Sequence, residues 1–128
     1  MGDDALMPVI HVQGLPPQPG VDLDAALAAV CREVAQLVGE DPRGTWATWR
    51  TLERYTEGND GTTIQPAETH PPFARLVALE GRDAALIESL LRCLAETLVR
   101  ELLLAEGNVF VTYDEVCRGR LYTGGDVV

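Results

Sequence analysis

The chain has 128 residues, of which 46% are apolar and 23% charged, and these values are typical of a soluble globular domain. Its net charge of -10 argues against a nucleic-acid partner, because neutralising phosphates requires a basic patch. No run reaches the roughly 18 apolar residues of a membrane span, and residues 1–6 are too short and too acidic for a secretory signal. A small anionic substrate is still compatible with this charge, since it needs only two or three local arginines.

The cysteines and histidines predict neither a disulfide framework nor a metal site. Three cysteines is an odd number, and they lack metal-ligand spacing, so we expect reduced thiols in a cytoplasmic protein. Cys31 and Cys93 fall on apolar helix faces, and Cys117 lies near a turn. His11 and His70 are far apart in sequence and lack ligand partners, so no metal is expected.

A short pattern occurs twice and predicts the architecture. Residues 7–15 and 72–79 each contain a proline followed by a short apolar-rich run that ends in leucine. Each run is followed by a break and then by a helical pattern that begins near an aspartate. Two copies of one strand–helix–strand unit fit this length. We expect an extension over 1–6 and a single domain over 7–128, with repeat one at 8–61 and repeat two at 72–128.

The first repeat is predicted to contain a strand over 8–15, a helix and a second strand over about 45–55. Prolines and a glycine at 16–20 break the chain after the first strand. The helix begins at the N-cap Asp22 and stops at Gly39. Its expected apolar face comprises Leu23, Leu27, Val30, Cys31, Val34, Leu37 and Val38.

The second repeat follows a turn and a linker, which together occupy 57–71. A nearly continuous apolar run over 73–79 predicts a central, covered strand. The next helix is expected to run from Asp83 to Gly107, with a strand over 109–116 and a hairpin-like glycine-rich tail after it. The helix carries a broad apolar stripe made of Leu86, Ile87, Leu90, Leu91, Leu94, Leu98, Val99 and Leu102.

The order βαβ-βαβ predicts an α+β or α/β fold with a four-stranded mixed sheet and two helices on one face. Strands within each unit must be parallel, because a crossover helix joins them with right-handed connection. The other face of the sheet is left uncovered, although it carries apolar and amphipathic residues. We therefore expect the protein to form oligomers.

Four stretches carry a resemblance to a known family. They are Met7-Pro8 before a strand, LEGRD at 79–83, VFVTYDEV at 109–116 and RGRLYTGGD at 118–126. In this order and spacing, the chain resembles the tautomerase superfamily, typified by 4-oxalocrotonate tautomerase. The second half resembles one short member almost end to end and the first half does so more weakly. The chain therefore looks like a fused, two-unit member.

This resemblance implies a cofactor-free tautomerase or isomerase that moves a proton next to the carbonyl of a small 2-oxo acid or dienol. The base of the family is the amine of an N-terminal proline, which corresponds to Pro8. Arginines hold the substrate carboxylate and stabilise enolate-like charge, and Arg82 matches the family's arginine after the first strand, although in the second half. The resemblance also implies a homotrimer.

The sequence departs from the family pattern at several of these positions. Pro8 is preceded by seven residues, so its nitrogen is an amide without basicity. Either translation begins at Met7, or the preceding residues are removed, or the chemistry is absent. The family's strand arginine corresponds to Thr48 in one half and Phe110 in the other. Arg50 shares a strand face with Thr48 and is a candidate substitute.

Three further residues are candidates for substrate binding, and two alternative functions remain open. Arg75, Tyr113 and Glu115 are candidates by strand position. A hydratase or dehalogenase is one alternative, in which a protonated proline acts as acid and Glu115 helps to activate water. The other is a non-catalytic trimeric scaffold, which is favoured if residues 1–6 are retained.

Overall fold

The computed structural model describes residues 8–55 and 71–128. The predicted extension over 1–6, Met7, the turn at 57–61, most of the linker and His70 lie outside the described residues. The described elements are β1 (Val9–Gly14), α1 (Leu23–Val38), a 3₁₀ turn (Pro42–Gly44), β2 (Trp46–Thr51), β3 (Phe73–Leu79), α2 (Ala84–Glu101), β4 (Phe110–Val116), β5 (Tyr122–Thr123) and β6 (Asp126–Val127).

Four of the strands form one mixed sheet in the order β2-β1-β3-β4. β1 is parallel to β2, and β3 is parallel to β4, so each parallel pair belongs to one βαβ unit. β1 and β3 are antiparallel and join the two units at the centre of the sheet. α1 and α2 pack against each other, and both contribute to the core beside the sheet. The predicted tandem βαβ-βαβ architecture is confirmed.

α1 begins and ends where the capping residues predict, but its buried face differs from the expected one. The Asp22 carboxylate accepts a hydrogen bond from the Ala25 amide at 3.1 Å, and Gly39 ends the helix at φ +71°. Leu37 was expected to be buried, yet 42% of its surface is exposed. Leu37 lies in the last turn of α1 on the side that faces away from the core, whereas the next residue, Val38, packs against the core. The contacts to the core are made largely by small residues, which are Ala26, Ala29, Val30, Val34 and Ala35.

α2 packs as predicted but ends earlier than Gly107. The Asp83 carboxylate accepts from the Leu86 amide at 2.8 Å, which starts the helix. Its core face is formed by Leu90, Leu94 and Leu98, which are buried, and by the half-buried Leu86. The helix ends at Glu101 because the backbone turns at Leu103, where φ is +57°. This turn brings Leu104 back against the core.

β2 is shorter than the predicted span of 45–55. Its pairing with β1 ends at Thr51, the register partner of Gly14, and the last bond runs from the Leu52 amide to the Gly14 carbonyl at 2.7 Å. Gly14 avoids a tight contact there, because a Cβ would lie 3.1 Å from the Trp49 ring. With no further β1 backbone to pair with, the strand cannot continue.

The two faces of the sheet differ in chemistry. Ile10, Val12 and Leu76 are buried beneath the helices, and we call this side the helix face. The opposite side, the open face, carries no helix among the described residues. Two large apolar side chains stand on it with most of their surface exposed, Trp46 at 61% and Phe110 at 58%. The open face also includes Val9, His11, Gln13, Thr48, Arg50, Phe73, Arg75, Val77, Thr112 and Asp114.

The chain ends in a small hairpin, as predicted from its glycines. Tyr122 pairs with Val127 and Thr123 with Asp126 in a separate two-stranded sheet. All three cysteines are free thiols. In 8–55 and 71–128, no helix combines the length and the apolar character needed to cross a membrane.

Candidate functional site

The strand register places four residues side by side on the helix face, and two of them are site residues predicted from the sequence. Val9 is opposite Trp46 on one side and Val77 on the other, so the preceding residue, Pro8, lies opposite Thr45 and Ala78. Ala78 in turn is the register partner of Glu115. We call this line of residues, Thr45, Pro8, Ala78 and Glu115, the Pro8 row. Neighbouring strands lie about 4.8 Å apart, so about 10 Å separates the backbones of Pro8 and Glu115.

Pro8 occupies a position that suits a proline and buries its ring. It directly precedes β1, where a residue needs no amide hydrogen for the ladder. Its carbonyl accepts a bond from the Trp46 amide at 3.2 Å, which fixes the start of β1 against the start of β2. The Pro8 side chain is fully buried, and its neighbour Ala78 is only 1% exposed. The small Ala78 side chain is all that separates Pro8 from Glu115 within the row.

A capped turn sets the position of Thr45 at the end of the row. The Thr45 amide donates to the Pro42 carbonyl at 3.0 Å, which closes the 3₁₀ turn. The Asp41 carboxylate accepts from the Arg43 amide at 2.9 Å and from its guanidinium at 2.7 Å. These bonds to Arg43 lower the pKa of Asp41 to about 2. Thr45 is 4% exposed, and its hydroxyl oxygen has no hydrogen-bond partner in the described part of the chain.

Tyr113 lies two residues before Glu115 on β4, opposite Leu76, and also faces the helices. Its hydroxyl is buried and finds no hydrogen-bond partner within residues 8–55 and 71–128. Burial raises the pKa of the Tyr113 phenol, and the negative charge of Glu115 raises it further, whereas the positive charge of Arg82 acts in the opposite direction. Three of the predicted site residues, Arg82, Tyr113 and Glu115, therefore lie within electrostatic reach of one another.

The turn that carries Arg82 is anchored to the end of β4. The Glu80 amide donates to the Val116 carbonyl at 2.9 Å, and the Glu80 carboxylate accepts from the Arg118 amide at 2.8 Å. Gly81 adopts φ +112°, a conformation that side chains rarely allow. Arg82 follows it, half-buried, immediately before the cap of α2. Since β3 ends where β1 begins, Arg82 lies at the same end of the sheet as Pro8.

The structure does not bring Arg50 and Arg75 beside Pro8 within one copy of the chain. Both lie on the open face, and Arg50 is opposite Gln13 at the far end of β1 from Pro8. The Arg75 Nε donates to the Asp114 carboxylate at 2.7 Å across β3 and β4. Both arginines line a cleft of about 530 Å³ on the open face, together with His11, whose Nδ1 lies 2.8 Å from the Thr48 hydroxyl.

Thr45 is the residue of this region that sequence reasoning did not single out. Its position near the start of the second strand can be predicted from the sequence. Whether its hydroxyl has a hydrogen-bond partner depends on tertiary packing. As for metals, no group of three or more His, Cys, Asp or Glu side chains suited to an ion occurs within the described ranges.

Comparison with other proteins finds similarity in structure but not in sequence. The sequence matches no protein-family model and no curated protein. The asymmetric trimer of the wild-type fused 4-OT called F6 is 19% identical with a TM-score of 0.75, covering 93% of this chain and 94% of that one. Pt0534 inactivated by 2-oxo-3-pentynoate is 16% identical with a TM-score of 0.77, over the same shares. A macrophage migration inhibitory factor-like protein from Entamoeba histolytica is 11% identical with a TM-score of 0.69, covering 95% and 99%.

At these identities the comparisons establish the fold. The chain has the tandem βαβ fold of the fused 4-OT proteins, along nearly its whole length. The tautomerase-like fold expected from the sequence is thereby confirmed.

Proposed function

We propose that this chain is a cytoplasmic, cofactor-free member of the tautomerase superfamily that isomerises a small 2-oxo acid or dienol. The amine of Pro8 is the base. The observation that carries the proposal is the position of Pro8, buried at the start of β1 in one row with Glu115 and at the sheet end that carries Arg82. The fold of the fused 4-OT proteins supports it.

The chemistry follows from a secondary amine and a cationic side chain at the same end of the sheet. The Pro8 amine removes a proton from the carbon beside the substrate carbonyl, and the electron pair moves onto the carbonyl oxygen. Arg82 binds the substrate carboxylate and stabilises the negative charge that develops. The proton then returns to another carbon of the enolate system, which completes the isomerisation. Pro8 can act only when it is the first residue, because an acylated nitrogen has no lone pair available for a proton.

The two repeats divide these roles. Repeat one, 8–61, supplies the base, and repeat two, 72–128, supplies Arg82, Tyr113 and Glu115. Residues 1–6 are an extension that must be absent from the active form, and Met7 must be removed as well so that Pro8 is the first residue. The buried hydroxyl of Tyr113, close enough to sense the charges of Arg82 and Glu115, is suited to donate a hydrogen bond to substrate.

The active form is proposed to be a homotrimer. Trp46 and Phe110 stand largely exposed on the open face, and Phe110 packs edge-on against Phe73 with ring centroids 5.8 Å apart. A second copy of the chain would remove this apolar surface from water. In such an assembly Arg50 and Arg75 would serve the site of a neighbouring copy, since they cannot reach Pro8 in their own.

We expect light scattering to show a mass three times that of the chain, and Phe110→Glu to shift the protein toward monomer. The added carboxylate would be desolvated against an apolar partner surface, which is strongly unfavourable. Ala85→Glu is the matched control, because Ala85 is exposed on α2, on the helix side of the sheet. A stable monomer at micromolar concentration in the unsubstituted protein would overturn the trimer.

The proposed amine is tested by covalent labelling with 2-oxo-3-pentynoate. We expect the protein that begins at Pro8 to gain the mass of one reagent molecule. The amine adds to C4 of the alkyne, a C–N bond forms, and a proton goes to C3, so nothing is lost. The 128-residue chain with Met1 or Gly2 retained should not be labelled at Pro8, because its nitrogen is an amide.

Thiols are the competing nucleophiles, so the labelling needs a cysteine control. Cys117 is exposed and is replaced by serine in both proteins. Burial raises the pKa of Cys31 and of Cys93, which lowers their thiolate fractions and slows their reaction. Fragmentation of the N-terminal peptide separates an adduct on Pro8 from one on Cys31. Labelling confined to cysteine would contradict the proposed base.

A hydratase or dehalogenase is the second candidate, and the Pro8 row favours it. Glu115 lies in that row, separated from Pro8 only by Ala78, so a carboxylate is available to orient water while protonated Pro8 acts as acid. Release of halide from halogenated acrylates by the Pro8-first protein separates this reaction from tautomerisation. If that protein neither reacts with the alkyne nor turns over either substrate class, the trimeric scaffold remains.

A further inference from the structure

We propose that the Thr45 hydroxyl is the hydrogen-bond acceptor for the protonated amine of Pro8, which makes Thr45 a positioning residue for the base. This inference rests on the proposed amine of Pro8. It assigns a role to a residue for which neither the strand pattern nor the resemblance gives one.

The first observation is that the Thr45 hydroxyl is buried without a hydrogen-bond partner. Only 4% of Thr45 is exposed, and its hydroxyl oxygen makes no hydrogen bond in the described part of the chain. A buried polar group without a partner is costly, and most such groups in proteins are satisfied. The arrangement is understandable if the partner is a group that appears only when Pro8 carries an amine.

The second observation is the position of Thr45 relative to Pro8. In the parallel register of β1 and β2, Pro8 lies opposite Thr45, one strand spacing away. The Thr45 backbone is extended, with φ -112° and ψ 125°, so its side chain continues the alternation of β2 and falls on the helix face, as Pro8 does. A hydrogen bond from the Trp46 amide to the Pro8 carbonyl holds the beginning of β1 against the beginning of β2.

The third observation is that the 3₁₀ turn before β2 fixes the backbone of Thr45. The 3₁₀ turn places its backbone through the bond from the Thr45 amide to the Pro42 carbonyl, and the Asp41–Arg43 pair stabilises that turn. A hydroxyl on a fixed backbone beside a buried ring is preorganised to meet one particular atom. The candidate atom is the Pro8 nitrogen, since Ala78 on the other side of Pro8 has no side-chain polar group.

The chemistry of the proposed step needs such an acceptor. After Pro8 removes the substrate proton, its nitrogen carries two N–H groups and a positive charge. One N–H points toward the substrate carbon that will receive the proton, and the other needs an acceptor in a place from which water is largely excluded. A neutral hydroxyl oxygen accepts this bond without adding a negative charge to the site.

Two variants separate this role from a structural one. Thr45→Val preserves the branched shape and removes the unsatisfied oxygen, so the melting temperature should stay equal or rise. Thr45→Ser keeps the hydroxyl. Because the acceptor favours the charged form of the amine, Thr45→Val should move the acid limb of the kcat/KM profile down by about one pH unit. Thr45→Ser should leave that limb near its original position.

The measurement is made on the protein that begins at Pro8, since every described strand, helix and core residue lies within 8–128. The pH profile is paired with titration of the ¹⁵N-labelled Pro8 nitrogen by NMR, which reports the amine without any turnover. A downward shift in Thr45→Val and none in Thr45→Ser supports the inference. Equal titration in all three proteins overturns it and leaves the proposed base intact. If no activity is found in any of them, the isomerase function fails, and the NMR titration still decides the role of Thr45.

Discussion

A protein whose first residue is Pro8 should isomerise an aromatic enolpyruvate at least about 100-fold faster than the 128-residue chain with Met1 or Gly2 retained. A positioned general base contributes roughly 10²- to 10⁴-fold to a proton transfer, and an amide nitrogen contributes none of it. The measurement is the rate of enol-to-keto conversion, together with the intact mass of each protein. A gene that begins at Met7 should give the Pro8 form directly, since methionine is removed before proline.

The fold should be the same in both proteins, so that the comparison isolates the amine. β1 begins at Val9, and the core of the protein lies after it. A closely matched control inserts one glycine between Met7 and Pro8. That protein retains a terminal amine but places it on glycine and converts the proline nitrogen to an amide. Equal activity in the glycine-inserted and Pro8-first proteins would exclude Pro8 as the base.

Replacing Arg82 by alanine should lower kcat/KM of the Pro8-first protein by two or more orders of magnitude. A charge-assisted bidentate hydrogen bond to carboxylate contributes roughly 1.5–3 kcal/mol, and more where it also stabilises the transition state. Because Arg82 is proposed to act on developing charge as well as on binding, both kcat and KM should change. Steady-state kinetics over a range of substrate concentrations measures the two separately.

Two further arginine variants make this result specific. Arg82→Lys keeps the positive charge but loses the planar, two-pronged geometry, so it should recover only part of the activity. Arg92→Ala removes an arginine from the exposed side of α2, where it bonds to Glu88 at 3.1 Å, and should leave the kinetics unchanged. Wild-type kinetics in a folded Arg82→Ala protein would remove Arg82 from the site.

The helix caps and turns could be predicted from the sequence because they depend on interactions between residues close together in the chain. Asp22 and Asp83 cap the helices from three residues away, and Gly39 ends α1 through its own backbone conformation. The C-terminal end of α2 could not be predicted in this way. The stripe of leucines continues past Glu101, but the backbone turns at Leu103 so that Leu104 can reach the core.

The sequence by itself determined the tandem βαβ units, the uncovered sheet face and the choice of Pro8, since each follows from periodicity, order or a recognisable motif. Only the tertiary structure decided which candidates meet. Strand register put Glu115 in the row of Pro8, and it put Arg50 and Arg75 on the other side of the sheet. The burial of the Thr45 hydroxyl depends on the same packing. The physical reason is that pairing between strands distant in sequence sets which side chains are neighbours, and a shift of one residue would move each to the opposite face.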